Sequence, residues 1–188
     1  MIPIMVAPTA GAIVIVGGGG GALQRLRLVD EYAAPQVHVF AETADAEVVT
    51  LAGARLTARW PTAEDFARLV PRIVFIADLG DEQSTPFIAL AHRVGALVNV
   101  HDRTPLCDFH VPARLRRGKL QVTVSTDGAA PALASLMRDR IGRSFGPEWG
   151  ERIDRLGALR SALLAQGVRG AQLSQRLAAE IDRHQWLH

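Results

Sequence analysis

A short apolar run that ends in consecutive glycines is the feature that most limits what this chain can fold into. The run Ala12–Val16 is followed by the glycines 17–21 and then by Ala22 and a helix-like segment, Leu23–Val29. This order predicts a strand, a tight turn and a helix. Gly17, Gly19 and Ala22 satisfy the spacing G-x-G-x-x-G/A, in which small residues let the backbone approach a pyrophosphate at the start of a helix.

An acidic residue stands where a second strand should end. Val37–Ala41 predicts that strand, and Glu42 follows the glycines by about 20 residues, the usual interval for an acidic ribose-binding residue. An acidic side chain there binds the adenosine ribose of NAD and disfavours a 2′-phosphate. The pattern therefore indicates NAD as cofactor. The competing interpretation is a flexible glycine-rich turn with a solvated Glu42.

Composition excludes several classes of protein. The 188 residues suffice for one domain with an accessory segment, and a net charge of +2 is too small to indicate a nucleic-acid-binding protein. No apolar stretch reaches the length of a membrane span, so we expect no membrane partner. The single cysteine, Cys107, excludes a disulfide framework and is typical of a reducing cytoplasm, where we expect the protein.

Strand and helix patterns alternate over the first two thirds of the chain. After the second strand we predict a helix (Asp45–Gly53), a strand (Ala54–Arg59), a helix (Thr62–Val70), a strand (Ile73–Ala77), a helix (Ser84–Val94), a strand (Leu97–Val100), a half-exposed strand (Leu120–Val124) and a helix (Ala130–Ile141). Continuous apolar strands separated by helices are typical of a parallel sheet. Apolar residues at helical spacing from Trp149 to Ile181, with a turn at 167–170, predict two final helices that close a core or a dimer interface.

The predicted fold class is α/β: a Rossmann-type parallel sheet, then a small strand–helix dimerisation segment, then a C-terminal helical segment. The corresponding domains are residues 1–112, 113–145 and 146–188.

One continuous block of motifs is specific enough to suggest a family. It contains Asn99-Val100-His101-Asp102, Leu106-Cys107-Asp108-Phe109, Pro112-Ala113, Arg116-Arg117-Gly118-Lys119-Leu120 and Val124-Ser125-Thr126-Asp127-Gly128 through Ala134. This block resembles the siroheme synthase N-terminal family, and the likeness extends over residues 10–145. Members of that family are NAD-dependent precorrin-2 dehydrogenases, and many are also sirohydrochlorin ferrochelatases. The methyltransferase that is fused to some members is absent from this sequence.

The resemblance places the family's catalytic aspartate on Asp102. Independently of the resemblance, Asp102 lies just past a buried parallel strand, where open α/β sheets place their ligand crevice. A carboxylate there can take a proton from the macrocycle during its oxidation and pyrrole protons as iron enters. The competing interpretation is an ordinary turn aspartate before Pro105.

The resemblance also implies a substrate-binding turn and a set of cofactor contacts. The turn contains Ser125, Thr126 and Gly128, and Arg114 and Arg117 are the cations expected to attract the acetate and propionate groups of the tetrapyrrole. Asp127 departs from the family pattern, as does the loop that begins at Ala77-Asp78. The expected cofactor-binding residues are Gly17, Gly18, Gly19, Gly20, Gly21, Ala22, Glu42, Thr43, Ala77 and Asp78.

No resident metal site is expected. Cys107, Asp108 and His110 are metal-ligand types, but they lack the spacing of a closed metal site, and His101 is better interpreted as a packed histidine. Ferrous iron enters only as a substrate of chelation.

The resemblance therefore implies a cytoplasmic homodimer that oxidises precorrin-2 to sirohydrochlorin with NAD and, where chelation is retained, inserts iron to form siroheme. Two alternatives stay open: a dehydrogenase without chelatase activity, and a non-catalytic NAD-binding regulatory module.

Overall fold

The computed structural model describes residues 1–187, which divide into two compact units: Met1–His110 and the residues from Val111 onward. The elements of the first unit are β1 (Ile13–Val16), α1 (Gly20–Glu31), β2 (Val37–Phe40), α2 (Ala46–Ala52), β3 (Leu56–Thr57), α3 (Ala63–Leu69), β4 (Ile73–Ile76), α4 (Asp81–Arg93) and β5 (Leu97–Val100). Those of the second unit are β6 (Ala113–Arg117), β7 (Leu120–Val124), α5 (Pro131–Ser144), α6 (Trp149–Ala165) and α7 (Gly170–Arg183).

The five strands of the first unit form one parallel sheet in the order β3-β2-β1-β4-β5. From β1 the chain builds the sheet outward on one side through β2 and β3, and then on the other side through β4 and β5. The crevice of such a sheet opens at the carboxyl ends of β1 and β4, where the strand order reverses. Most residues of β1, β2, β4 and β5 are buried, as expected for parallel strands that helices cover, and the short β3 is half-buried. The predicted α/β fold class with a Rossmann-type sheet is confirmed.

The core of the first unit is built from the strands and one aromatic residue of α3. Val14, Val16, Val74 and Ile76 lie together with Phe66 in one buried cluster. These branched side chains fit a pleated sheet surface, and each fully buried one contributes about 1.5–3 kcal/mol. The core thereby fixes the register that brings the strand ends to one edge.

Register places the ends of four strands side by side. Val16 is paired with Phe40 on one side and with Ile76 on the other, and Ile76 is paired with Val100. The residues that follow these strands continue the ladder: the amides of Gly17, Ala77 and His101 donate to the carbonyls of Phe40, Val16 and Ile76 at 2.9, 2.9 and 2.8 Å.

The second unit begins with a hairpin that the sequence did not predict in full. β6 and β7 pair antiparallel, with Ala113 opposite Val124 and Arg117 opposite Leu120. Gly118 turns the chain with φ +57°, a conformation that favours glycine. Trp149 and Leu163 of α6 are buried within this unit. The predicted β7 is confirmed, and β6 is an addition.

Two element boundaries differ from the sequence prediction. The segment expected as a strand over Ala54–Arg59 forms a 3-10 turn at Gly53–Arg55 and only a two-residue strand, because β3 is an edge strand with one partner. Helix α4 begins at Asp81 rather than Ser84, since the acidic residues 81 and 82 favour the positive end of the helix dipole. Within residues 1–187, no helix is both long and apolar enough to cross a membrane.

Candidate functional site

The glycine turn after β1 packs against the backbone that follows each of the two neighbouring strands, β2 and β4. A Cβ on Gly17 would overlap the carbonyl oxygen of Ala77, and one on Gly18 would overlap the carbonyl oxygen of Thr43. Gly17 also has φ +136°, which side chains rarely adopt. Only glycine fits these two positions, so the turn is as compact as the sequence pattern predicts.

Backbone N–H groups at the start of α1 converge on one point. The N–H groups of Gly19, Gly21 and Ala22 all donate to the carboxylate of Asp78, at 2.9, 2.8 and 2.9 Å. We call these three N–H groups the anion cradle. The helix dipole adds positive potential at the same place. The cradle therefore binds an anion, and here that anion is a carboxylate of the protein itself.

The residues present suit the pyrophosphate of a dinucleotide in their donor chemistry. Three converging N–H groups and a glycine turn without side chains are what such a group requires, and the Asp78 carboxylate stands in for a phosphate oxygen pair. Asp78 itself has φ +62°, in the left-handed region that an aspartate occupies only at some cost. This occupant of the cradle is the feature that sequence reasoning missed.

Glu42 and Thr43 lie next to the turn, at the end of β2. Both residues are exposed, and the loop they begin contacts the turn directly: the amide of Asp45 donates to the carbonyl of Gly18 at 2.8 Å. This is the side of β1 on which an adenosine ribose lies in folds of this type.

Asp102 follows β5 on the other side of β4. It has φ +58°, and its side chain is 80% exposed, with its Oδ2 atom 3.7 Å from Nδ1 of His101. His101 also borders the cradle, because a Cβ on Gly21 would lie 2.9 Å from its Nδ1. The carboxylate of Asp102 is thus available to a ligand, while that of Asp78 is engaged by the cradle.

The possible metal ligands after β5 have structural partners. The Cys107 thiol accepts from the Val100 amide and donates to the Val100 carbonyl, both at 3.2 Å, and burial raises the pKa of this thiol. Asp108 accepts from the Val98 amide at 2.8 Å and contacts Nε2 of His92 at 2.8 Å. Across residues 1–187, no three such side chains gather as a metal site would need.

In the second unit, the predicted substrate turn is ordered by its own hydroxyls. Ser125 Oγ accepts from the amide of Asp127 at 3.2 Å, and Thr126 Oγ1 accepts from the amide of Ala130 at 3.1 Å, just before α5. Gly128 has φ +82°, which permits the turn. The guanidinium of Arg117 donates to the carbonyls of Phe145 and Arg116 at 3.1 and 3.0 Å, so part of its donor capacity serves this unit. Arg114 lies in β6 opposite Thr123.

The chain is similar to several proteins of siroheme biosynthesis. A family model described as "Putative NAD(P)-binding" matches residues 4–113, and one described as "Sirohaem biosynthesis protein central" matches residues 117–144. The siroheme biosynthesis protein met8 of Schizosaccharomyces pombe is 32% identical over 166 residues, which is 80% of this chain and 58% of that protein. A siroheme synthase of Neisseria meningitidis serogroup C is 32% identical over 167 residues, which is 87% of this chain and 34% of that protein. A siroheme synthase of Methylococcus capsulatus is 38% identical over 130 residues, 68% of this chain and 27% of that protein.

The chain spans between 27% and 58% of the length of these curated relatives. Among solved structures, SirC, a precorrin-2 dehydrogenase, superposes with a TM-score of 0.80 over 100% of this chain and 92% of that one, at 21% sequence identity, and so shares the fold. More than half of the chain is matched by the NAD(P)-binding model and most of the adjoining hairpin and α5 by the sirohaem model. The chain therefore belongs to the siroheme synthase N-terminal family and carries its NAD(P)-binding domain.

Proposed function

We propose that this protein oxidises precorrin-2 to sirohydrochlorin with NAD. The observation that supports this most is the pair of features at one edge of the sheet: an anion cradle after β1 and an open carboxylate, Asp102, after β5. A dehydrogenase of this kind needs a place for the cofactor's pyrophosphate and a base for the substrate's proton. The neighbour SirC is named as a precorrin-2 dehydrogenase, in agreement with this proposal.

The oxidation removes two hydrogens from the macrocycle, one as a hydride and one as a proton. The acceptor of the hydride would be supplied by bound NAD. Asp102 accepts the proton, because its exposed carboxylate lies where the parallel strands end. The turn 17–21, which packs against the carbonyl oxygens of Ala77 and Thr43, would hold the pyrophosphate of the cofactor.

Glu42 gives the site its preference for NAD. Its carboxylate is exposed at the end of β2, on the ribose side of the turn. A hydroxyl of the ribose donates well to a carboxylate, whereas a 2′-phosphate would be repelled by its like charge.

Iron insertion is the second activity that the same carboxylate could support. Each ferrous ion that enters sirohydrochlorin displaces two pyrrole protons, and Asp102 is the proposed acceptor. The iron is a substrate here, held by the macrocycle nitrogens in the product. The alternative is a precorrin-2 dehydrogenase that does not insert iron.

The second unit supplies the proposed contacts for the carboxylate groups of the tetrapyrrole. Ser125, Thr126 and Gly128 offer hydroxyls and backbone N–H groups before α5, and Arg114 and Arg117 offer positive charge. Asp127 lies in the same turn with φ +53°, and its charge opposes a polycarboxylate, so we expect it to weaken binding.

A homodimer is part of the proposal, and helix α5 carries the evidence for it. Leu133, Leu136 and Met137 lie at helical spacing and are 51%, 67% and 45% exposed. An exposed apolar stripe of this kind favours contact with another protein surface, and a second copy of the chain is the partner always present.

The decisive experiment mixes the purified full chain with precorrin-2 and NAD and follows NADH formation and the absorbance of the macrocycle. We expect Asp102→Asn to lower the oxidation rate by about 100-fold or more, the scale of losing a general base. The affinity for NAD should be unchanged, since the cradle and Glu42 are intact.

Glu82→Gln is the matched control, because it removes an exposed carboxylate from the first turn of α4 and should leave the rate unchanged. An Asp102→Asn variant with full dehydrogenase activity would refute the catalytic assignment. A wild-type protein that binds NAD but leaves precorrin-2 untouched would instead favour the non-catalytic NAD-binding module. Separate assays of oxidation and iron insertion on Asp102→Asn decide whether one carboxylate serves both reactions.

A further inference from the structure

The anion cradle is already filled by a side chain of the chain itself. Oδ2 of Asp78 accepts from the amides of Gly19 and Ala22, and Oδ1 accepts from the amide of Gly21. A Cβ on Gly19 or Gly21 would lie 2.9 or 2.8 Å from atoms of this same carboxylate. The carboxylate therefore occupies the space in front of the turn as well as its donors.

Two anions cannot use these three donors at once. A pyrophosphate needs the same N–H groups at the start of α1, and it would meet the negative charge of Asp78 within the same small space. Binding of a dinucleotide in the manner of this fold consequently requires the Asp78 carboxylate to leave the cradle.

The backbone at Asp78 is suited to such a movement. The residue is exposed and has φ +62°, a conformation that an aspartate holds only when its contacts stabilise it. Here those contacts are the three hydrogen bonds to the cradle. When an anionic ligand accepts these hydrogen bonds instead, the loop between β4 and α4 loses the contacts that stabilise this conformation.

We propose that Asp78 is a built-in competitor of the cofactor's pyrophosphate, and that its carboxylate sets the affinity of the site for nucleotides. The inference rests on the proposed function only in taking NAD as the cofactor. It predicts that the open cradle is a minority state in the free protein. The apparent dissociation constant is then the intrinsic constant divided by the open fraction.

The test compares Asp78→Asn with Asp81→Asn in the full-length protein. Asparagine keeps the size of the side chain and tolerates positive φ, but it lacks the charge and one of the two acceptor oxygens. Asp81→Asn removes the same charge three residues later, from an exposed side chain that pairs with Arg103 and does not touch the cradle. Asp78→Gly is the second variant, because glycine adopts positive φ without cost.

The ligands are NAD, ADP and adenosine, and calorimetry measures their affinities. We expect Asp78→Asn and Asp78→Gly to bind NAD and ADP about tenfold more tightly than the wild type does, the gain that corresponds to an open fraction near a tenth. Adenosine lacks phosphate, so its affinity should not change. Asp81→Asn should match the wild type for all three ligands.

A second readout needs no ligand. The amide resonances of Gly19, Gly21 and Ala22 should shift in Asp78→Asn and stay in place in Asp81→Asn, and the Asp78 variant should melt at a lower temperature because α1 loses its anion.

The outcomes separate this inference from the proposed function. Unchanged or weaker binding of NAD and ADP by both Asp78 variants overturns the competitor role, while oxidation of precorrin-2 by the wild type would keep the proposed function. Tighter nucleotide binding in variants that still leave precorrin-2 untouched supports the competitor role and counts against the dehydrogenase. If neither the wild type nor any variant binds NAD or ADP, both the competitor role of Asp78 and the proposed function are refuted. If the Asp78 variants melt at a lower temperature but bind NAD and ADP no more tightly, Asp78 only caps helix α1, and the inference is overturned.

Discussion

Asp65 is the acidic residue whose loss should most weaken the first unit. It is 4% exposed and forms a capping box at the start of α3, where Thr62 donates to its Oδ2 from the backbone at 2.8 Å and from the hydroxyl at 3.1 Å. Arg59 adds a bidentate pair at 2.6 and 3.0 Å. The next residue, Phe66, is part of the sheet core, so the cap helps to hold the core in place.

The size of the effect follows from these contacts. Asp65→Asn keeps one acceptor for the Thr62 amide but turns an NH2 group towards Arg59, which has no acceptor to offer. Hydrogen bonds to a charged group contribute about 1.5–3 kcal/mol each, and the Arg59 side chain is 49% exposed, which places its two bonds near the lower end. We therefore expect Asp65→Asn to lower the free energy of unfolding by about 2–3 kcal/mol at pH 7.

The effect should depend on pH in a stated direction. The Arg59 guanidinium beside Asp65 holds the pKa of that carboxyl well below its usual range. A lowered native pKa means that the contribution is complete above the unfolded value of about 3.9 and is lost as the pH falls below it. Between pH 7 and pH 3 the wild type should lose about 1 kcal/mol through this group, and the Asn variant should not. The difference between the two proteins must therefore shrink at pH 3.

Urea unfolding followed by circular dichroism at both pH values measures these quantities. Glu64→Gln is the control, because Glu64 is an exposed acid in the same helical turn. The reasoning is refuted if Asp65→Asn is no more destabilising than Glu64→Gln, or if its effect is the same at pH 7 and pH 3.

Two further outcomes test the cofactor preference and the dimer. The wild type should bind NADP at least about tenfold more weakly than NAD, because the charge of Glu42 repels a 2′-phosphate. Glu42→Ser removes that charge and should bring the two affinities closer together. Calorimetry with both nucleotides measures the affinities, and equal values in the wild type would contradict the assignment. Leu136→Glu places a charge on the exposed apolar stripe of α5 and should convert a wild-type dimer to a monomer in light scattering, whereas a variant that remains a dimer would show that the interface lies elsewhere.

The sequence predicted best where one local pattern decides the structure. The continuous apolar runs at Ile13–Val16, Ile73–Ile76 and Leu97–Val100 form strands because most of their residues are buried in the core of the sheet. The glycine turn forms because only glycine fits beside Ala77 and Thr43. The position of Glu42 and Asp102 after strands then follows from the parallel order. The strand pattern alone was enough to predict that Glu42 and Asp102 lie at the same edge of the sheet.

The sequence predicted least where distant segments decide. The stretch Ala113–Arg117 is rich in arginine and is easily taken for a charged surface loop, yet its alternation of apolar and basic residues matches a strand once Leu120–Val124 is beside it. The contact between Asp78 and the cradle joins residues 56 to 59 positions apart and depends on a positive φ that no local motif indicates. Only the folded chain brings these groups together.

Asp78 and Asp102 differ in the contacts of their carboxylates, and this difference suggests which of the two acts as a base. Asp78 and Asp102 both follow parallel strands that are neighbours in the sheet, and both have positive φ, at +62° and +58°. The carboxylate of Asp78 accepts hydrogen bonds from three N–H groups and is therefore engaged by the cradle. The carboxylate of Asp102 is 80% exposed, with the His101 ring 3.7 Å away. We therefore propose Asp102, and not Asp78, as the acceptor of the substrate's proton. Under the two proposals, Asp78 controls nucleotide binding and Asp102 accepts the proton, so the two acidic residues have separate roles.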